Sequence, residues 1–174
     1  MLDPRRTRKV RERAVRYAVN GWPVAPLAVQ RHGICLCARD CADPHLVGEV
    51  VHEGSRADAV WQGGPWEIAL VTERFDVVDL PPEYGALLNH QLKAICPTAM
   101  APVRRRWWFF VVAGSIPGAQ VRGAGGVLHS GAGDWVPAPE TWLESTGRIR
   151  WLVHPYLTGW RPYQRRDPVD QVFP

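Results

Sequence analysis

Three cysteines and a histidine stand within eleven residues, as Cys35-Leu-Cys37-Ala-Arg-Asp-Cys41-Ala-Asp-Pro-His45. Three thiolates and an imidazole are a donor set that four-coordinate zinc favours, and a short loop rich in turn residues can wrap the tetrahedron. The spacing is tighter than that of paired Cys-x-x-Cys knuckles. His32 and His52 are alternative fourth ligands, and a group of small buried thiols is the plainer account of the cysteines. Four protein ligands would close the shell, so the metal expected here is structural and ties down a long loop. Cys96, between Ile95 and Pro97, stands apart and is expected in the core.

Carboxylates are the second source of chemistry. Asp76 and Asp79 bracket Val77 and Val78. Side chains alternate along a strand, so residues three apart leave it on opposite faces. Two-metal phosphoryl transfer needs carboxylates converging on cations about 4 Å apart, which this pair cannot supply. The position two beyond Asp79, on its own face, is Pro81. Magnesium is expected only if Asp79, Glu83 and Asp134 gather by local rearrangement.

Arg104, Arg105 and Arg106 run directly into Trp107, Trp108, Phe109 and Phe110. Guanidinium groups followed by aromatic rings suit phosphate contact and base stacking. The competing reading is a buried strand entered through a solvated basic turn. Alternation puts Trp107 and Phe109 on one face and Trp108 and Phe110 on the other, so one pair could fill a core while the other lines a groove. The glycine-rich Arg122 to Gly126 lacks the Lys-Ser/Thr of a P-loop and does not match the dinucleotide fingerprint in its setting. Ser115, Ser130 and Ser145 have no nucleophile-elbow context, so no hydrolase is expected.

These residues need elements to hold them. Residues 4–19 are predicted to be a helix, with Asp3 as its cap, Pro4 in its first turn and Gly21 as its stop. Its inner stripe is Val10, Ala14, Tyr17 and Ala18, and its cationic side is Arg5, Arg6, Lys9, Arg13 and Arg16. Residues 1–16 hold seven basic and two acidic side chains, whereas the remainder holds 14 basic and 15 acidic. All the excess positive charge therefore lies on one segment, which points to phosphate or an acidic partner; a solvated helix face is the alternative. Residues 22–27 read as extended, and 31–66 as a loop-rich stretch carrying the Cys/His cluster. Strands are predicted over 68–71, 75–80, 107–113, 135–137 and 148–154. A second helix is predicted from Pro82 through Ile95, with Leu87, Leu88, Leu92 and Ile95 turned inward. Residues 123–133 hold five glycines in eleven positions and read as a loop or a pair of tight turns. Strands outnumber helices without strict alternation, so the fold class is α+β. The expected organisation is a single domain over 1–155 and a Pro/Arg-rich, irregular tail over 156–174.

The chain has 174 residues, 46% apolar and 22% charged, the balance of a globular protein, with nine tryptophans. Its longest apolar run, Trp107 to Ala113, is too short to span a membrane. No apolar run follows the charges of residues 1–13, so no secretory leader is expected, and the expected location is the cytoplasm.

Taken in order, these segments resemble the N-terminal domain of bifunctional DNA primase/polymerases, the Prim-Pol branch of the archaeo-eukaryotic primases. The likeness is closest to the Cys-containing versions common in actinobacteria. Residues 14–27 look like that family's opening helix and its Gly-Trp-Pro-Val strand. Cys35, Cys37, Cys41 and His45 fall where those versions carry a Cys/His insert ending in His-Pro, here shortened and without that proline. Residues 75–85 look like the strand that bears the Asp-x-Asp metal motif, 104–111 like the central strand, and 131–139 like the late Gly-rich turn and strand. The resemblance implies a primase/polymerase-like mixed sheet of RRM type, flanking helices, a zinc-tied loop and a role in replication. It also implies which elements are eroded. Asp79 fits the first metal-binding aspartate, but Pro81 replaces the second. No histidine lies near Trp107, where the family places its nucleotide-binding one. No carboxylate lies at Leu128-His129, and Asp134 follows only later.

The expected function is thus nucleic-acid or nucleotide binding without nucleotidyl transfer. Arg5, Lys9, Arg13, Arg104, Arg105 and Arg106 would meet phosphates, Trp107 or Trp108 would stack, and Asp79 and Asp134 would be vestigial catalytic residues. One alternative is an active primase/polymerase using magnesium on Asp79 and nearby carboxylates. Another is a protein-interaction scaffold whose aromatic surplus forms an exposed patch.

Overall fold

The computed structural model describes residues 4–31, 33–37, 41, 44–143 and 145–164. The fold is mixed α+β, and the chain divides into two compact units, residues 1–71 and 72–174. Among the described residues, no helix is long and apolar enough to cross a membrane.

The first unit opens with α1 (Pro4–Val19), the predicted helix to the residue. Val10, Ala14, Tyr17 and Ala18 are buried along its inner stripe. Gly21 takes φ 79, a left-handed turn that glycine adopts without a Cβ penalty, and this ends the helix. The Asp3 cap lies outside the described residues. Strands β1 (Val24–Ala28), β2 (Gln30–Arg31), β3 (Ile34–Cys35) and β4 (His45–Leu46) follow, then α2 (Gly54–Gln62) and β5 (Glu67–Val71). β1 lies between β4 and β5 and is antiparallel to both. All five residues of β1 and all five of β5 are buried. Helices α1 and α2 pack on each other, and both touch β1.

Helix α2 corrects the loop expected over 31–66. Its sequence signal is faint because only Ala57 and Trp61, one turn apart, are buried, and its N-terminal Glu53 makes no side-chain cap.

The second unit is built on β6 (Phe75–Leu80), α3 (Pro82–Leu92), β7 (Thr98–Ala101), β8 (Arg106–Val112), α4 (Gly118–Gly123) and β9 (Val127–His129). Then come β10 (Trp135–Pro137), β11 (Trp142–Leu143), β12 (Gly147–Arg148) and β13 (Arg150–Val153), with a 3-10 turn over Pro155–Thr158. Five strands form a sheet in the order β13-β7-β8-β6-β9, and its ladders are antiparallel rather than mixed. Val78, Leu80, Phe109 and Val111 on one face pack with Leu88 and Leu92 of α3 and with Val121 of α4.

Helix α3 ends three residues before the predicted boundary. Lys93, at φ 49, leaves the helix, so Ile95 is 60% exposed instead of turned inward. Leu87 is 45% exposed as well, because the inward positions are Leu88 and Leu92, four residues apart, and Leu87 sits about 100° around the helix from Leu88. β9 lies inside the glycine-rich stretch expected to be loop. Its three residues become a strand by pairing with β6, a nonlocal partner that a local pattern does not display. Arg165 and Arg166 of the expected tail lie outside the described residues.

Candidate metal centre

Backbone ladders fix the first and last residues of the cluster. Cys35 pairs with Gln30 across the β2–β3 hairpin, and His45 pairs with Ala28 across β1–β4. Gly33, at φ 76, takes the left-handed conformation that this tight hairpin requires. Leu36 N then donates to Val29 O at 3.0 Å, and Val47 N to Pro26 O at 3.0 Å, so both arms leave the same end of β1. The Gln30 side-chain amide donates to the Cys41 carbonyl and anchors the third cysteine.

The ligand atoms of Cys35, Cys37, Cys41 and His45 all lie within 4.8 Å of one another. Cys37 Sγ is 3.3 Å from Cys35 Sγ and 3.4 Å from Cys41 Sγ, and Cys41 Sγ is 3.8 Å from His45 Nε2. All three cysteines are free thiols. With metal–sulfur bonds of about 2.3 Å, a tetrahedron has ligand–ligand edges of about 3.8 Å, so the donor set fits a four-coordinate soft or borderline cation. Crowding pushes the Cys41 thiol up to about 11, first through its hydrogen bond with Cys37 and then through burial and Cys35. These four residues could bind a metal such as zinc. His52 is exposed and outside the group, and His32 lies outside the described residues.

No other group of three or more Cys, His, Asp or Glu among the described residues brings its ligand atoms together in this way. Asp76 and Asp79 do leave β6 on opposite faces. Asp76 is buried and accepts from Gly114 N at 2.7 Å. Asp79 Oδ1 accepts from Arg106 Nε at 2.7 Å, while Arg106 Nη2 donates to Asp79 O at 3.0 Å. Asp134 Oδ1 is 3.2 Å from His129 Nδ1 and accepts from Trp135 N at 2.8 Å. Glu83 is exposed in the first turn of α3.

Burial pushes the Asp79 carboxyl above its ordinary 3.8, with Arg106 and then His129 pulling the other way. A carboxyl raised on folding adds stability below its unfolded value, and that contribution is lost as pH rises through the folded one. Asp79→Asn is therefore expected to gain on the parent protein as pH rises from about 4 to 7. Urea midpoints at both ends of that range check it, and a parent that gains on the variant instead would overturn it.

The basic and aromatic candidates are distributed as follows. Arg5, Lys9 and Arg16 are exposed on α1, and Arg13 is half-buried. Arg6 and Arg11 are engaged internally, Arg6 with Glu67 at 2.5 Å and Arg11 with Asp58 at 2.6 Å. Arg104 and Arg105 are exposed in the turn before β8. Of the four β8 aromatics, Trp107 alone is half-buried and the other three are buried. Trp108 and Phe110 are buried, and Trp107 stacks on Phe109 at 6.5 Å with 9° between planes. Gly85 of α3 lies over the Trp107 ring so closely that a Cβ there would fall 2.3 Å from Cγ.

The Arg106–Asp79 and Arg6–Glu67 pairs escape a reading of the sequence because register and helix docking create them. Comparison of the chain with protein-family models, with curated proteins and with solved structures found no match.

Proposed function

We propose that this chain is a primase/polymerase-like nucleic-acid-binding module of the cytoplasm, with a zinc-tied loop and no nucleotidyl transfer. The observation that carries the reading is the outer side of α1. Arg5, Lys9 and Arg13 recur every four residues, about 6 Å apart along the axis; Arg5 and Lys9 lie on the side away from the buried stripe, and Arg13, half-buried, lies at its flank. On the same helix Arg6 is engaged with Glu67 and Arg11 with Asp58. A row of cations on a rigid rod suits a polyanion, whose bound counterions it would release.

The absence of transfer chemistry in this reading rests on Asp79. Its carboxylate is held by a guanidinium where a catalytic aspartate would meet a cation.

A fluorescence titration with single-stranded DNA at two salt concentrations tests the first half. Binding should weaken as salt rises, and the triple variant Arg5→Ala, Lys9→Ala, Arg13→Ala should lower the slope of log K against log salt by about 2. Binding that is missing at low salt, or indifferent to salt, would overturn the reading. Primer extension tests the second half: no extension is expected, and extension that Asp79→Ala abolishes would establish an active enzyme instead.

A further inference from the structure

The β11–β12 hairpin presents an indole to solvent beside an arginine turn. Its inner side chains, Thr141, Leu143 and Ile149, are buried. On the outer side Trp142 pairs across the strands with Arg148 and is 41% exposed. The hairpin is fastened to the turn between β7 and β8 by two hydrogen bonds, Val103 N to Thr146 O and Arg104 Nε to Ser145 O, each 3.2 Å. Gly147 makes the close approach feasible, since a Cβ there would fall 2.7 Å from Val103 Cγ2. Arg104 and Arg105 are thus held next to the hairpin that carries Trp142 (Glu144 lies outside the described residues). Glu140 takes up the charge of Arg148 at 2.5 Å, whereas Arg104 gives a hydrogen bond to a neutral carbonyl and keeps its charge.

We propose that Trp142, with Arg104 and Arg105, is a base-stacking platform for single-stranded nucleic acid. The inference rests on the nucleic-acid reading above and moves the stacking role from Trp107, which lies under α3, to the indole on this hairpin. A guanidinium neutralises a phosphate at the position where an aromatic face receives the attached base, and stacking tolerates any base because each has a π-face. The rings of the buried β8 aromatics have no such access.

The test titrates the intact protein with an oligothymidylate and, separately, with inorganic polyphosphate, which has charge but no bases. Trp142→Ala should weaken oligothymidylate binding about tenfold and leave polyphosphate binding unchanged. Trp142→Phe, which keeps an aromatic face, should stay close to the parent. Arg104→Gln with Arg105→Gly should weaken both ligands and lower the oligothymidylate salt slope by about 1.4. Glycine is chosen because Arg105 sits at φ 53, where other side chains are strained. The platform is overturned if Trp142→Ala binds oligothymidylate like the parent or loses both ligands equally. If the parent binds no oligothymidylate at any salt, the nucleic-acid reading fails and the platform fails with it.

Discussion

Purified protein is expected to carry about one equivalent of zinc, and Cys37→Ser or Cys41→Ser to reduce it to background. Cys37 has Cys35 and Cys41 within 3.4 Å, so losing its sulfur opens the donor set at its centre. Cys96→Ser is the control. That thiol is buried in the second unit, where it donates to Pro97 O, and its loss should leave the metal content intact. Structural zinc in small modules contributes about 10–16 kcal/mol of apparent binding free energy, much of it spent on folding the ligand loop. Here the damage should stay local. Val10, Ala14, Trp22, Leu27, Trp61 and Leu70 are buried in the first unit at positions outside the Cys/His segment, of whose four ligands only Cys35 is buried. Chelation should therefore spare the helical circular dichroism and abolish hydrogen-exchange protection at Leu36 N and Val47 N, which donate to Val29 O and Pro26 O. Less than about half an equivalent of zinc, with every thiol freely titratable, would refute a closed site.

What could be read from the sequence is what local pattern determines. α1 is legible because its buried stripe recurs with the helical period and because Pro4 and Gly21 mark its ends. β6 is legible as a β-branched apolar run stopped by Pro81 and Pro82. The Cys/His cluster is legible because all its ligands lie within eleven consecutive residues, so the chain travels little to bring them together.

Features that depend on register or on packing partners were not legible. The sequence displays Trp107 as one of a row of aromatics, yet its cover comes from Gly85, a helical glycine whose missing Cβ admits the ring. Arg106 looks like one of three equivalent basic residues. The antiparallel register that sets Asp79 opposite Trp108 brings the Arg106 guanidinium to Asp79 and separates Arg106 from Arg104 and Arg105. The seven basic residues of the N-terminal segment look alike too, until docking assigns Arg6 and Arg11 to internal acids.

Glu67→Gln is expected to be among the most damaging single substitutions in the first unit, costing about 3 kcal/mol. Glu67 is 2% exposed at the start of β5, and its Oε1 accepts from both Arg6 of α1 and Arg31 of β2. One buried carboxylate thus holds the N-terminal half of the basic helix and the strand that leads into the Cys/His loop. Glutamine keeps the shape and removes the charge, leaving two guanidinium groups facing each other across a neutral amide. Removing the buried member of an ionic group costs more than the group itself contributes, because the Arg31 guanidinium, 22% exposed, stays partly shielded from water beside Arg6, 37% exposed, with no carboxylate between them. The Arg11–Asp58 pair on the same helix gives the comparison. Its side chains are 36% and 40% exposed, so Asp58→Asn should cost far less than Glu67→Gln. The triple replacement Arg6→Met, Arg31→Met, Glu67→Leu should regain most of the lost stability, since an apolar set of similar volume leaves no charge uncompensated. Urea denaturation of the three variants separates the cases. A Glu67→Gln protein as stable as Asp58→Asn, or a triple variant weaker than the single one, would mean that the carboxylate is not what holds α1 and β2 together.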